Sequence, residues 1–165
     1  MIIRPETPDD IPAIRKVTEA AFAQAEHSSQ TEAAIIDALR RAGALSLSLV
    51  AEQGTLVVGH VAFSPVLIDR KDVQWRGLGP VSVLPHLQRS GIGSALIREG
   101  IKILESQGAH GCVVLGDPAY YGRFGFTSDH ALCYGGVPAE YFQSLVLAGP
   151  PVAGEVSYHV GFEAA

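Results

Sequence analysis

A glycine-bearing loop set between an apolar extended run and a helix-like segment constrains this chain more than any other feature. The loop is Gln88-Arg89-Ser90-Gly91-Ile92-Gly93-Ser94. Leu78 to Pro85 leads into it as a buried strand would, and Ser94 to Gln107 follows with helical periodicity. That order puts the N–H groups of the helix's first turn at the loop, where no helical carbonyl can receive them. Gly91 and Gly93 let a ligand approach the backbone with no side chain between. The helix dipole favours negative charge at the same end, so a pyrophosphate is the natural guest.

Three glycine-rich patterns compete for this stretch, beside an ordinary tight turn before a helix. A P-loop needs Lys-Ser/Thr after its last glycine, and no lysine follows Gly91 or Gly93. The dinucleotide fingerprint needs a third glycine three residues after Gly93, where Leu96 stands. The third pattern, Gln/Arg-x-x-Gly-x-Gly/Ala, is met at every fixed position from Gln88 to Gly93. With it the run resembles the acyl-CoA loop of the GNAT-type N-acetyltransferase superfamily. A later segment, Leu115-Gly116-Asp117-Pro118-Ala119-Tyr120-Tyr121-Gly122-Arg123-Phe124-Gly125-Phe126, is similar to the same superfamily's second signature. Tyr121 stands four residues before Gly125, where that signature has its tyrosine. The string from Gly116 to Phe126 also resembles a small-substrate branch of the superfamily. The likeness is carried by Leu78 to Phe126 and is consistent with Met1 to Phe63.

Composition narrows the function classes. A chain of 165 residues, 47% hydrophobic and 18% charged, suits one globular domain spanning residues 1–165. A formal charge of −5 argues against a nucleic-acid partner. No apolar run reaches membrane-span length, and Met1 to Pro5 starts no signal peptide, so a cytoplasmic location is expected. Cys112 and Cys133 suit a reducing compartment. The six histidines are scattered and no zinc pattern is present, so no metal is expected. Oligomeric state is open, with a homodimer as one expectation.

Along the chain, Ile2 to Arg4 predicts a first strand. Thr7, Pro8, Asp9 and Asp10 start a helix, with Thr7 as its cap. Ser29 to Glu32 has the spacing of a capping box for a second helix, whose buried face is Ile35, Ile36 and Leu39. Leu45 to Glu52 alternates leucine and serine in its first half, as a half-buried strand does. Thr55 to Phe63 returns beside it, and Val73 to Val83 is the next strand. After the glycine loop come a helix, a strand ending at Leu115, a helical turn over Pro118 to Phe124, and two or three weaker strands. Gly154 to Val160 is the clearest of these. The expected fold class is α/β (α+β): a mixed, mostly antiparallel sheet with flanking helices. Right-handed crossover makes the strands on either side of the long helix parallel. The GNAT-type acyl-CoA N-acyltransferase fold has this layout, with that parallel pair splayed apart and the pantetheine arm in the gap.

The resemblance implies an acetyl-CoA-dependent N-acetyltransferase acting on an amine of a small molecule or peptide. The alternative on the same fold is a catalytically weak CoA-binding or sensor module. Val81, Val83 and the run Gln88, Arg89, Ser90, Gly91, Ile92, Gly93 and Ser94 would bind acetyl-CoA, with the Val83 N–H facing the acetyl carbonyl. Tyr121 would protonate the departing thiolate, with Tyr120 as wall or substrate contact. Glu32 borders the acceptor site of the family and is the candidate base, against its other reading as a capping acid. His86, Glu26, His27 or a water chain are further sources of a base. Many members place an asparagine after the strand ending here at Leu115, where this chain has Gly116 and Asp117.

Overall fold

The computed structural model describes residues 1–26 and 28–165. The strands are β1 (Ile2–Pro5), β2 (Leu47–Gln53), β3 (Leu56–Ile68), β4 (Trp75–Val83), β5 (Gly111–Leu115), β6 (Leu132–Cys133), β7 (Phe142–Val146) and β8 (Gly154–Tyr158). The helices are α1 (Ile11–Phe22), α2 (Glu32–Arg41), α3 (Ile92–Ser106) and α4 (Pro118–Tyr121). The main sheet runs in the order β1-β2-β3-β4-β5-β7, and β8 pairs with the far end of β3. All neighbours in the main sheet are antiparallel except β4 and β5, which flank α3 and run parallel as expected. A second parallel contact, two residues long, joins β6 to β8. None of the described helices is long and apolar enough to cross a membrane.

Helices cover both faces of the sheet. Ile92, Leu96, Ile97 and Leu104 of α3 pack with Leu49, Val61 and Phe63. On the other face, Ile14 and Val17 of α1 and Ile36 of α2 pack with Val50 and Val57. The approach of α3 is close because residue 100 is glycine: a Cβ there would lie 2.4 Å from Phe63 Cε2, a distance that real side chains do not tolerate. The α2 face of Ile35, Ile36 and Leu39 is buried as predicted.

One local expectation fails for a physical reason. The leucine–serine alternation predicts one wet face for β2, but Leu47 to Ala51 are all buried, because helices lie on both sides. Ser48 is accommodated by bonds: its hydroxyl meets Glu6 and lies 2.8 Å from Nε2 of His60, which is fully buried. Arg40 grips Glu6 through Nε and Nη2 at 3.0 Å each. Burial opposes ionisation of Glu6, but the Arg40 fork and the Ser48 hydroxyl outweigh it and hold its carboxyl below the ordinary range. At the start of α1, a 3-10 turn over Pro8–Asp10 precedes the helix proper. Thr7 stands at the cap position as expected, and Asp10 completes a capping box: its Oδ2 accepts the Thr7 N–H at 2.7 Å. Asp10 also forms a two-pronged pair with Arg4 at 2.7 and 3.0 Å, which holds its carboxyl well below the usual carboxylate range.

His60 makes stability depend on pH. Burial lowers its pKa to about 4, against about 6.5 in the unfolded chain. Between these values the unfolded state binds the extra proton, so stability falls as pH drops through this window. Denaturant titrations should show about 2 kcal/mol of stability lost from this group between about pH 7 and about pH 5. The His60→Gln variant, which can still donate to Ser48, should show a correspondingly flatter profile.

Candidate active site

A bulge in β4 opens the site. Phe63 faces Leu78 and Val61 faces Val81, so Gly79 and Pro80 stand opposite Ala62 alone. Proline has no N–H for a ladder, and an extra residue bends the strand that carries it. Gly79 takes φ +130°, a conformation that side chains disfavour. The parallel pairing of β4 with β5 covers only Trp75 to Gly77, ending just before the bulge. Beyond it β4 follows β3 alone. The Leu84 N–H donates to the Val58 carbonyl at 3.0 Å, with Val83 opposite Gly59 and Val81 opposite Val61. In an antiparallel ladder that alternation turns the N–H groups of Val81 and Val83 away from β3. They face the gap.

The glycine loop closes one end of this gap. Gln88 donates its side-chain amide to the Val83 carbonyl at 3.1 Å, which ties loop to strand. The Ser90 hydroxyl donates to the Leu87 carbonyl inside the loop. Gly91 caps α3 with φ +93°. The first helical bond runs from the Ala95 N–H to the Gly91 carbonyl at 3.0 Å, so the N–H groups of Ile92, Gly93 and Ser94 precede it and have no helical acceptor.

A cleft of about 540 Å³ lies over these groups. Val81, Val83, Gln88, Arg89, Gly91, Gly93 and Ser94 line it, with Tyr120, Tyr121 and Arg123 opposite and Ala21, Phe22 and Ala25 from the α1 end. Its charged lining is Arg89 and Arg123, with no acid among the described residues. The cleft is thus suited to an anion. Of the loop residues singled out from sequence, Ser90 and Ile92 do not line it. The Ile92 side chain is in the core, and only its backbone faces the site. Arg123 was not anticipated. Its Nε donates to the Tyr120 carbonyl at 3.0 Å and its guanidinium lies 4.5 Å from the centre of the Tyr120 ring. The Tyr-Tyr-Gly-Arg spacing on a helical turn was the available signal.

The two tyrosines differ. The Tyr120 hydroxyl lies 3.2 Å from Ser94 Oγ, over the first turn of α3. Tyr121 lies deeper, and burial pushes its pKa up to about 12. Its ring rests on the backbone of Gly116, where a Cβ would lie 2.4 Å from Tyr121 Cε2. An asparagine at 116 and Tyr121 in this pose exclude each other. Asp117 is committed elsewhere: its carboxylate caps α4 by accepting the Ala119 N–H at 2.9 Å.

A second cavity of about 380 Å³ adjoins the first. Phe22, Val81 and Tyr121 line both. Glu32 lines only the second, and is its single charged residue among those described. The capping box expected from Ser29 to Glu32 does not form. Glu32 is the first residue of α2, Thr31 stands at the cap position without a side-chain bond, and the Glu32 carboxylate accepts the Ser28 hydroxyl at 2.7 and 2.8 Å. Glu32 is therefore free of a capping duty and faces the cavity. His86 is exposed and lines neither cavity, nor does Glu26, which is also exposed. His27 lies outside the described residues. No group of three or more potential ligands is placed to hold a metal ion among the described residues.

Residues 2–128 match the family described as acetyltransferase (GNAT) domain. An uncharacterized N-acetyltransferase of Escherichia coli K12, YhbS, is 38% identical over 170 residues, covering 98% of each chain. The crystal structure of E. coli YhbS in complex with CoA superposes with a TM-score of 0.90 at 37% identity, covering 98% of this chain and 91% of that one. A GNAT family acetyltransferase from Brucella melitensis, solved in complex with acetyl-CoA, has a TM-score of 0.88 and 52% identity, covering 98% and 97%.

Residue 93 offers a clean test of the cleft. A Cβ there would meet the Tyr120 hydroxyl at 3.4 Å and Val83 Cγ2 at 3.7 Å, which are ordinary contacts. Gly93→Ala should fold and bind CoA with a modest loss. Gly93→Val pushes methyl groups into the cleft and should weaken CoA binding by about tenfold or more in a calorimetric titration, about 1.4 kcal/mol, with its melting temperature held.

Proposed function

The chain belongs to the GNAT acetyltransferase family and is an N-acetyltransferase; we propose that it carries an acetyl group from acetyl-CoA to the primary amine of a small molecule or peptide by direct attack. The observation that carries this reading is the meeting of two cavities of opposite polarity. One is lined by free N–H groups and two arginines, the other by apolar surface and one carboxylate, and Val81 and Tyr121 stand where they join. The bound CoA and acetyl-CoA of the two similar solved structures support the assignment of the first cavity.

In this reading the first turn of α3, from Ile92 to Ser94, receives the pyrophosphate, assisted by Gln88, Arg89 and Gly91, while Ser90 holds the loop's shape through Leu87. The Val81 and Val83 N–H groups extend β4 towards the pantetheine arm, as one strand pairs another. The Val83 N–H donates to the acetyl carbonyl oxygen, and that bond strengthens as charge develops there. The amine nitrogen forms the new bond to the carbonyl carbon while the carbon–sulfur bond breaks. Glu32, directly or through water, takes the proton from the amine. Tyr121 gives its proton to the departing thiolate. The burial that raises the Tyr121 pKa keeps the phenol protonated, and the same dry surroundings raise the basicity of a thiolate beside it. The whole chain acts as one domain, and its free thiols, Cys112 buried and Cys133 exposed, suit the cytoplasm.

Tyr121→Phe removes one hydroxyl and keeps the ring packed on Gly116. It should bind acetyl-CoA normally and lose about 10²–10⁴-fold in the chemical step, the range for a general acid. Tyr120→Phe is the matched comparison and should lose less. Near-full turnover by Tyr121→Phe in single-turnover measurements refutes the acid role. Damage confined to Tyr120→Phe transfers the role to that residue.

A further inference from the structure

The second cavity has a chemistry of its own. Its walls are aromatic and aliphatic: Tyr121, Tyr134, Tyr158 and Phe162 supply rings, and Leu115 supplies part of the rim. Tyr134, Tyr158 and Phe162 form a continuous surface, with centroids 4.9 Å apart from Tyr134 to Tyr158 and again 4.9 Å from Tyr158 to Phe162. Leu115 is 45% exposed, a large apolar side chain left at the cavity mouth. Tyr134, Tyr158 and Phe162 all lie beyond residue 128, where the family match ends. This wall therefore belongs to the C-terminal part of the chain. It is held there by β8 on the end of β3 and by the packing of Phe162 against Ile35 and Leu39 of α2.

Charge selects among acceptors. Glu32 is the single charged lining residue among those described. A polyamine or aminoglycoside would bring several ammonium groups to one carboxylate, and each surplus charge would be desolvated without a partner. An amino acid would bring a carboxylate into a cavity with no cation lining it among the described residues. One ammonium satisfies Glu32, and aromatic faces add to its attraction. The remaining lining rewards an apolar body, and the volume of about 380 Å³ is at the small end of ligand pockets.

Resting on the transferase reading above, we infer that the acceptor is a small monocationic primary amine borne on an apolar, ring-sized body, of the arylalkylamine class. Glu32 receives the ammonium, the tyrosine and phenylalanine faces hold the body, and the nitrogen is delivered to the junction at Tyr121. Proton loss to Glu32 then frees the nitrogen for attack, and the second proton shed by the nitrogen as the amide forms replaces the one that Tyr121 gives to the thiolate.

The test is release of CoA thiol from acetyl-CoA by the full chain with four amines: phenethylamine, phenylalanine, spermidine and kanamycin. Phenethylamine should exceed each of the others in kcat/KM by about tenfold or more, the scale on which an unpaired buried charge discriminates. The Leu115→Asp variant adds a second carboxylate at the exposed rim. It should bind acetyl-CoA unchanged, lose about tenfold with phenethylamine and narrow or reverse the gap to spermidine. Preference for phenylalanine, spermidine or kanamycin overturns the inference and leaves the transferase reading standing. An unchanged selectivity profile in Leu115→Asp also overturns it. Thiol release with none of the four overturns the inference alone, since the transferase reading also takes peptide amines and is tested by acetyl-CoA binding and the Tyr121→Phe comparison.

Discussion

The functional region depends on one backbone constraint: β4 has a strand on both sides at its start and on one side at its end. A strand edge inside a protein is costly unless its N–H and C=O groups find partners. Here Gly79 and Pro80 bulge out opposite Ala62, and the parallel pairing with β5 ends at Gly77. The unpaired edge of Val81 and Val83 is then open to a linear, amide-bearing ligand. Gln88 satisfies the Val83 carbonyl from the loop and leaves the N–H side free. The bulge therefore makes both the gap and the hydrogen-bonding edge along it.

Everything around β4 keeps that edge fixed. On one face, α3 is drawn close enough for Gly100 to touch the Phe63 ring, which sets the height of its N-terminal turn above the gap. On the other face, Glu6, Arg40, Ser48 and His60 link the first loop, α2, β2 and β3 through bonds that run from the half-buried Glu6–Arg40 pair to the buried Ser48–His60 contact. This network binds α2, and with it Glu32, to the same sheet as Val83. A polar cluster of this kind is sensitive to the loss of any partner, and its neutral histidine sets an acid limit on stability. The two cavities inherit their opposite polarity from these anchors. Helix N–H groups and arginines sit at one end, and aromatic rings with one carboxylate at the other.

Much of this was legible in the sequence because it rests on local chemistry. The loop from Gln88 to Ser94 forms where two glycines, a preceding strand and a following helix require it, and the parallel crossover follows from chain handedness. The order of strands and helices was legible from periodicity for the same reason. What escaped was set by tertiary partners. Ser48 alternates like a surface residue but is buried with Glu6 and His60. The Glu32 box pattern competes with a Ser28 contact that no spacing rule specifies, and α2 begins at Glu32 itself. Arg123 joins the cleft only because Tyr120 lies over Ser94. The aromatic wall assembles residues from three elements, Tyr134 after β6, Tyr158 of β8 and Phe162 beyond it, which no contiguous motif contains. The bulge left a sign that could have been used: Gly79-Pro80 inside a long strand pattern marks an interrupted ladder.

Amide hydrogen exchange with and without saturating acetyl-CoA tests the role of the β4 edge most directly. The N–H groups of Val81 and Val83, and those of Ile92, Gly93 and Ser94, should slow by about tenfold or more on binding. Those of Leu84 and Ala95, already bonded to Val58 and Gly91, should change little by comparison. Protection confined to the α3 turn, with Val81 and Val83 exchanging as fast as in the free protein, would contradict the account.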